Sequence, residues 1–239
     1  MMSKPRTTPL SPLYFILSTF FIISLLLSNI TAGKMTVLFG LTLPAAVVFF
    51  PLTYILGDVL TEIYGFRKAQ LTIWLGLFAN LFMVVVFTIT LVLPYPQFWT
   101  DQEAYQRVLG MTPRLVGAST IAYFAGSFLN AALLSKLKVK TAGRWLWLRT
   151  IASTLVGEGV DTALFITVAF GGTMPQALLA ELILAQYLWK VTYEIAFTPL
   201  TYLVVRWIKR WEQVDVFDHV VDYNPFILKR RHDDEHDHG

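Results

Sequence analysis

Six stretches of roughly twenty predominantly apolar residues, separated by shorter polar segments, set the pattern of the chain: 13–32, 43–63, 70–93, 114–134, 149–170 and 180–207. About 20 such residues suffice for a helix to cross the hydrocarbon layer of a bilayer. The pattern predicts an all-α integral membrane protein, a bundle of six transmembrane helices. It divides the chain into a disordered polar lead over 1–12, a membrane domain over 13–210 and a polar tail over 211–239. The first stretch also has the charged start and the small residues after it of a cleaved signal. It is long for a signal core, however, and Asn29 near its end is an odd choice for a discarded segment.

Within the second stretch, Pro44 and Pro51 predict a kinked helix whose freed backbone groups are satisfied by neighbours. The long connection 94–113 is expected to hold a short interfacial helix. In the fourth stretch Ala118, Ala122 and Gly126 recur every four residues and Asn130 continues the stripe. Small residues at that spacing let helices approach closely. The stripe suits either a second copy of the chain, giving a homodimer, or a neighbouring helix of the same bundle.

Composition agrees with a lipid environment. The chain has 239 residues, of which 55% are hydrophobic and 15% charged, against about 25% charged in soluble domains. Mean hydropathy is +0.57. There is no cysteine, which excludes disulfides and thiolate metal sites. The basic residues set an orientation. The lead, the turn at 67–68, the loop 136–149 and the end from Arg206 onward hold 15 of the 19 Lys and Arg residues, all on one side of a six-span chain. That asymmetry predicts cytoplasmic N- and C-termini. With the basic residues in inter-span loops and at the two ends, nucleic-acid binding is not indicated.

The membrane stretches also hold ionisable residues that cost about 2.5–3.5 kcal/mol each at a helix centre. Asp58 and Glu62 lie four apart in the second, Glu158 and Asp161 three apart in the fifth, and Lys190 and Glu194 four apart in the sixth. Each pair shares a helix face. The bland readings are hydration of Asp58 and Glu62 or pairing with Arg67, and mutual neutralisation of Lys190 and Glu194. Gly157 and Gly159 flank Glu158 and remove bulk where a ligand or another helix would close in. Asn29, Ser127, Asn130, Gln186 and Tyr187 add uncharged hydrogen-bonding capacity. Five acids against one lysine leave an excess of carboxylate, which a cationic ligand or bound protons would balance. Carboxylates and amides also match the N–H-rich edge of a guanine-like base, on whose face aromatics stack.

All four histidines, at 219, 232, 236 and 238, lie in the tail, and no stretch contains a Ser/His pair, an HExxH pattern or a Walker A motif. An intramembrane hydrolase or an ATP-driven pump on this chain alone is therefore not expected; the chain reads as a non-enzyme without cofactor or metal in its spans. The His/Asp-rich end 232–238 has metal-ligand chemistry, but a solvated terminus is the simpler expectation.

Several strings together resemble the YhhQ family of queuosine precursor transporters, also called the vitamin uptake transporter family. They are Ser28 and Asn29, FPLTYILGDVLTEIYG at 50–65, AGSFLN at 125–130, ASTLVGEGVDT at 152–162, and Lys190. The resemblance implies a multi-pass inner-membrane importer of 7-deazaguanine bases (7-cyano- or 7-aminomethyl-7-deazaguanine, or queuine) salvaged for tRNA queuosine. It implies a fold like the substrate-binding subunits of energy-coupling-factor transporters, working without the ATPase partner. The substrate-binding residues expected are Asn29, Asp58, Glu62, Asn130, Glu158, Asp161, Tyr187, Lys190 and Glu194. Glu158 and Asp161 would hold the base's N–H edge or a cationic amine, Lys190 would pair with a carboxylate or face a carbonyl, and Asp58 and Glu62 would shape the cytoplasmic exit. The alternatives are a binding subunit that needs an ATPase partner, a carrier for another small ring compound, and a membrane scaffold without substrate.

Overall fold

The computed structural model describes residues 11–32, 34–39, 41–110, 113–172, 175–219 and 221–226. The His/Asp-rich end and most of the lead lie outside the described residues. Helix α1 (Pro12–Thr31) is followed by a short antiparallel hairpin, β1 (Met35–Leu38) and β2 (Leu41–Pro44), with Met35 opposite Pro44 and Leu38 opposite Leu41. A 3-10 turn, Ala45–Val48, leads into α2 (Phe50–Tyr64) and α3 (Phe66–Val92). The exposed α4 (Gln102–Leu109) is the short helix expected in the long connection. Then come α5 (Pro113–Lys140), α6 (Leu146–Phe170) and α7 (Gln176–Glu212).

Local chemistry sets these boundaries. Ser11 caps α1, its hydroxyl accepting from the Tyr14 amide at 3.0 Å, and Pro12 occupies the first turn, where no amide donor is needed. The second stretch is not one continuous α-helix: a 3-10 turn, Ala45–Val48, gives way to α2 at Phe50. Pro44 closes the hairpin and Pro51 sits in the first turn of α2, so each falls where a missing N–H breaks no helical bond. Between α2 and α3 the chain turns at Gly65 with φ of 83°, and a Cβ there would come within 2.8 Å of Val216. Only glycine meets both demands.

Five segments are long and apolar enough to cross a membrane: α1, Ala45–Tyr64, α3, Gly117–Lys140 and α6. This is the mark of a multi-pass membrane protein. The sixth expected span, α7, is the longest helix at 37 residues but carries charge within its apolar run and stands outside that group. The outer surface is apolar: Phe78, Phe82, Val85 and Ile89 of α3 all point outward. The buried set, by contrast, includes Asp58, Glu62, Arg149, Glu158, Asp161, Lys190 and Glu194. Lipid replaces water outside, so the hydrophobic effect does not drive these faces inward, while the polar groups must find each other.

Helices α5 and α6 cross at two glycines. A Cβ at Gly157 would lie 2.7 Å from the Asn130 Cβ and 3.0 Å from the Gly126 carbonyl oxygen; one at Gly126 would lie 2.7 Å from the Asp161 Cβ. Ala118 and Ala122 of the same stripe are also buried within the chain. The stripe is thus spent inside the bundle. Gly157→Ala is expected to force the helices apart, costing about 1–3 kcal/mol and lowering the melting temperature in detergent; an unchanged melting temperature would show that the crossing tolerates a methyl.

The polar segment after α7 packs back onto the bundle. The Val216 amide donates to the Ile63 carbonyl at 3.1 Å. Asp218 accepts from the Phe66 amide at 2.7 Å and the Ser135 hydroxyl at 2.6 Å, capping α3. Gln70 and Trp74 donate to the Pro225 carbonyl at 2.7 and 2.9 Å.

Candidate functional site: buried carboxylates of the bundle

The intramembrane charges form two groups with opposite balance. The first lies at the end of the bundle where α2 turns into α3. Glu62 is held by Arg149 from α6 through two hydrogen bonds, at 2.7 and 3.2 Å. Lys209 of α7 reaches the same carboxylate at 2.7 Å and Lys138 of α5 stands 3.8 Å away. Lys138 also donates to the Glu62 carbonyl and to Asp215, and Lys209 meets Asp215 at 2.9 Å. Burial would push the Asp215 carboxyl up, but hydrogen bonds and charge from Lys138 and Lys209 outweigh it and hold it below its ordinary value. Glu62 is therefore a fastened structural acid. Its cations are three, drawn from three other helices, in place of the Arg67 pairing that was one of the bland readings.

The second group lies deeper. Lys190 of α7 bridges Glu158 at 2.7 Å and Asp161 at 2.6 Å, both on α6, and its ammonium sits 4.5 Å from the Phe50 ring centre. Lys190 thus neutralises acids on the neighbouring helix and leaves Glu194 of its own helix unmatched. Glu194 is 2% exposed, and neither carboxylate oxygen has a hydrogen-bond partner among the described residues. Asp58 is fully buried; its Oδ1 accepts from the Asn130 amide at 2.6 Å, while its Oδ2 has no such partner. Glu194, Glu62 and Glu158 all lie within electrostatic reach of Asp58. Four carboxylates lie here with one ammonium, which pairs with two of them.

Of the expected residues, Asp58, Asn130, Glu158, Asp161, Lys190 and Glu194 come together through α2, α5, α6 and α7. The other three do not join them. Glu62 belongs to the basic clasp. Asn29 donates to Asn80 at 2.8 Å and accepts from Ser119 at 3.0 Å, tying α1 to α3 and α5. Tyr187 donates to the Leu155 carbonyl at 3.2 Å. Sequence reasoning missed Tyr54, which is buried, has a hydroxyl without a partner among the described residues and lies within reach of Asp161, Glu158 and Asp58. Its position four residues before Asp58 was the available signal. It also missed the unpartnered hydroxyls of Thr154 and Thr162, four residues before and after Glu158. Among the described residues no group of three or more His, Cys, Asp or Glu is placed to hold a metal.

The cavity lined by Tyr54 and Asn130 is about 10 Å³, room for one water. The helices are closed around these groups, all of which are buried. What the arrangement can do is present acceptor oxygens to a donor-rich ligand in a site shielded from water.

The chain is 28% identical over 187 residues to a Bacillus subtilis (strain 168) protein named probable queuosine precursor transporter, covering 78% of this chain and 82% of that one. It is likewise 28% identical over 187 residues to the queuosine precursor transporter of Escherichia coli (strain K12), covering 77% and 81%. No solved structure matches. A family model described as "putative vitamin uptake transporter" matches residues 44–204, which take in Asp58, Asn130 and the whole Glu158–Lys190–Glu194 constellation, and the chain belongs to that transporter family.

Proposed function

We propose that the chain imports queuosine precursors, 7-deazaguanine bases, across the cell inner membrane, and that Glu194, Asp58 and Asn130 hold the base. The observation that carries this reading is the pair of unpartnered oxygens on the buried Glu194 carboxylate. A guanine-type edge offers a ring N–H and an exocyclic amino group side by side, the donor pair that a carboxylate accepts in two parallel bonds. Asp58 Oδ2 and the Asn130 carbonyl, also unpartnered, add acceptors for an amine at the 7-position. Glu158 and Asp161, first expected to take the base edge, are occupied by Lys190. Their role in this reading is to set the charge and position of α7 beside the base.

The transport domain in this reading has six spans with both termini cytoplasmic. Helix α7 is about 55 Å long at 1.5 Å per residue, ample for a layer of about 30 Å. Its Lys190 and Glu194 are tolerated because they face the bundle interior. Carriage requires no ATPase partner. The relatives' names and the family support the substrate class, and the acid-rich interior supports a donor-rich ligand.

The experiment is queuosine in tRNA. A cell that neither makes the precursor nor has its own importer is given this protein and a low level of precursor. Restored queuosine is the expected result. An unmodified tRNA, with the protein demonstrated in the membrane, would overturn the assignment. Uptake by the purified protein in ATP-free liposomes is expected as well; a requirement for a second subunit would instead make it a binding component.

A further inference from the structure

The basic end of the bundle carries a feature that base transport does not use. Between α6, α7 and the segment after α7 lies a cavity of about 590 Å³, lined by Glu62, Arg149, Arg206, Lys209, Arg210 and Asp215 among others. With Lys138, which binds both acids, five cations face two carboxylates. The Arg149 side chain is 1% exposed and its Nε–H has no hydrogen-bond partner among the described residues, although its two terminal nitrogens are occupied by Glu62 and the Gly143 carbonyl. Arg206 and Arg210 project into the same cavity one helical turn apart, with Tyr202 a turn before them, and neither guanidinium has an ion-pair partner among the described residues. The excess positive charge is the wrong sign for a neutral or cationic base and the right one for a phosphate.

The neighbouring stripe of α7 identifies the source of that phosphate. Leu200, Leu203, Trp207 and Trp211 point outward beside the arginines, and the two indoles lie 5.1 Å apart. Trp145 and Trp147 are exposed at the start of α6. Tryptophans collect at the depth where headgroups meet acyl chains, and guanidinium forks suit phosphate oxygens. An acyl chain along the leucine and tryptophan stripe would bring its phosphodiester to Arg206, Arg210 and the Arg149 Nε–H. We propose that this cavity binds the phosphodiester headgroup of an anionic phospholipid from the adjoining leaflet. The site does not depend on which substrate the chain carries.

The test uses the full chain in phosphatidylcholine nanodiscs into which phosphatidylglycerol is titrated, read as melting temperature and as lipid retained in native mass spectrometry. A saturable rise in melting temperature and one retained phosphatidylglycerol per chain are expected. Arg206→Gln with Arg210→Gln should weaken half-saturation by about 30-fold. Arg107→Gln, at an exposed pair with Glu103 on α4, should leave it unchanged. Inorganic phosphate at equal phosphorus concentration separates the sources: no response supports a lipid site, and an equal response overturns it in favour of a free-anion site. A parent chain indifferent to phosphatidylglycerol would overturn the proposal without recourse to any variant, as would a double variant that responds like the parent.

Discussion

Glu194→Gln is expected to lose precursor uptake by more than about 100-fold while melting no lower than the parent. Both halves follow from the absence of partners. Two hydrogen bonds to a charged acceptor contribute about 1.5–3 kcal/mol each, about 3–6 kcal/mol together, and losing both exceeds the roughly 2.7 kcal/mol that corresponds to about 100-fold. Glutamine keeps the shape of the side chain but turns one acceptor into a donor, which opposes the base's own N–H groups. The fold, meanwhile, loses nothing by the change. No cation or donor among the described residues is spent on the Glu194 carboxylate, so neutralising it removes a desolvated charge rather than a bond. Transport assays in liposomes and thermal unfolding of the same preparation check the pair of expectations. Retained uptake would remove Glu194 from the base site; a fall in stability beyond about 1 kcal/mol would mean that the carboxylate is structurally engaged.

Glu62→Gln should behave in the opposite way. Its carboxylate is gripped by Arg149 and Lys209, with Lys138 close by. Arg149 and Lys138 are themselves almost wholly buried. Without the acid, Lys138 and Lys209 are left with Asp215, and Arg149 keeps the Gly143 carbonyl but no carboxylate among the described residues. Breaking a buried pair in this way costs about 3–5 kcal/mol, enough to remove most folded protein from the membrane. Combining Glu62→Gln with Arg149→Met should cost less than the two single changes added together, because the second removes the charge stranded by the first. Unfolding of the four proteins in detergent measures the cycle. Strict additivity, or a cost below about 1 kcal/mol for Glu62→Gln, would reduce the clasp to a surface-like ion pair.

The two acids look alike in sequence. Each is a glutamate four residues from another ionisable group within a long apolar stretch. Helical spacing correctly placed Asp58 with Glu62, Glu158 with Asp161 and Lys190 with Glu194 on common faces. It could not say which would be neutralised. Lys190 passes over its own neighbour Glu194 and takes both acids of α6. Glu62 passes over Arg67 and takes cations from the ends of α5, α6 and α7. Tyr54 escaped notice because a tyrosine among apolar residues reads as core until its hydroxyl is seen buried beside carboxylates. The polarity of the segment after α7 did not show where it would lie; its carboxylates and carbonyls cap α3 and accept from Lys138, Gln70 and Trp74.

By itself, the sequence determined what depends on composition and spacing along the chain. That comprises a helical membrane protein, the run of apolar spans, the concentration of basic residues at one end and the presence of uncompensated acid inside. These follow because a bilayer imposes length and hydropathy on any helix that crosses it. The tertiary structure alone decided which charges meet. Those partners are separated by 29 to 147 positions in the chain, and their distances are set by how closely helices cross, as where Gly126 and Gly157 let α5 and α6 touch. A one-dimensional period carries no information about that depth, so the structural acid Glu62 and the unpartnered acid Glu194 become distinguishable only once the bundle has closed.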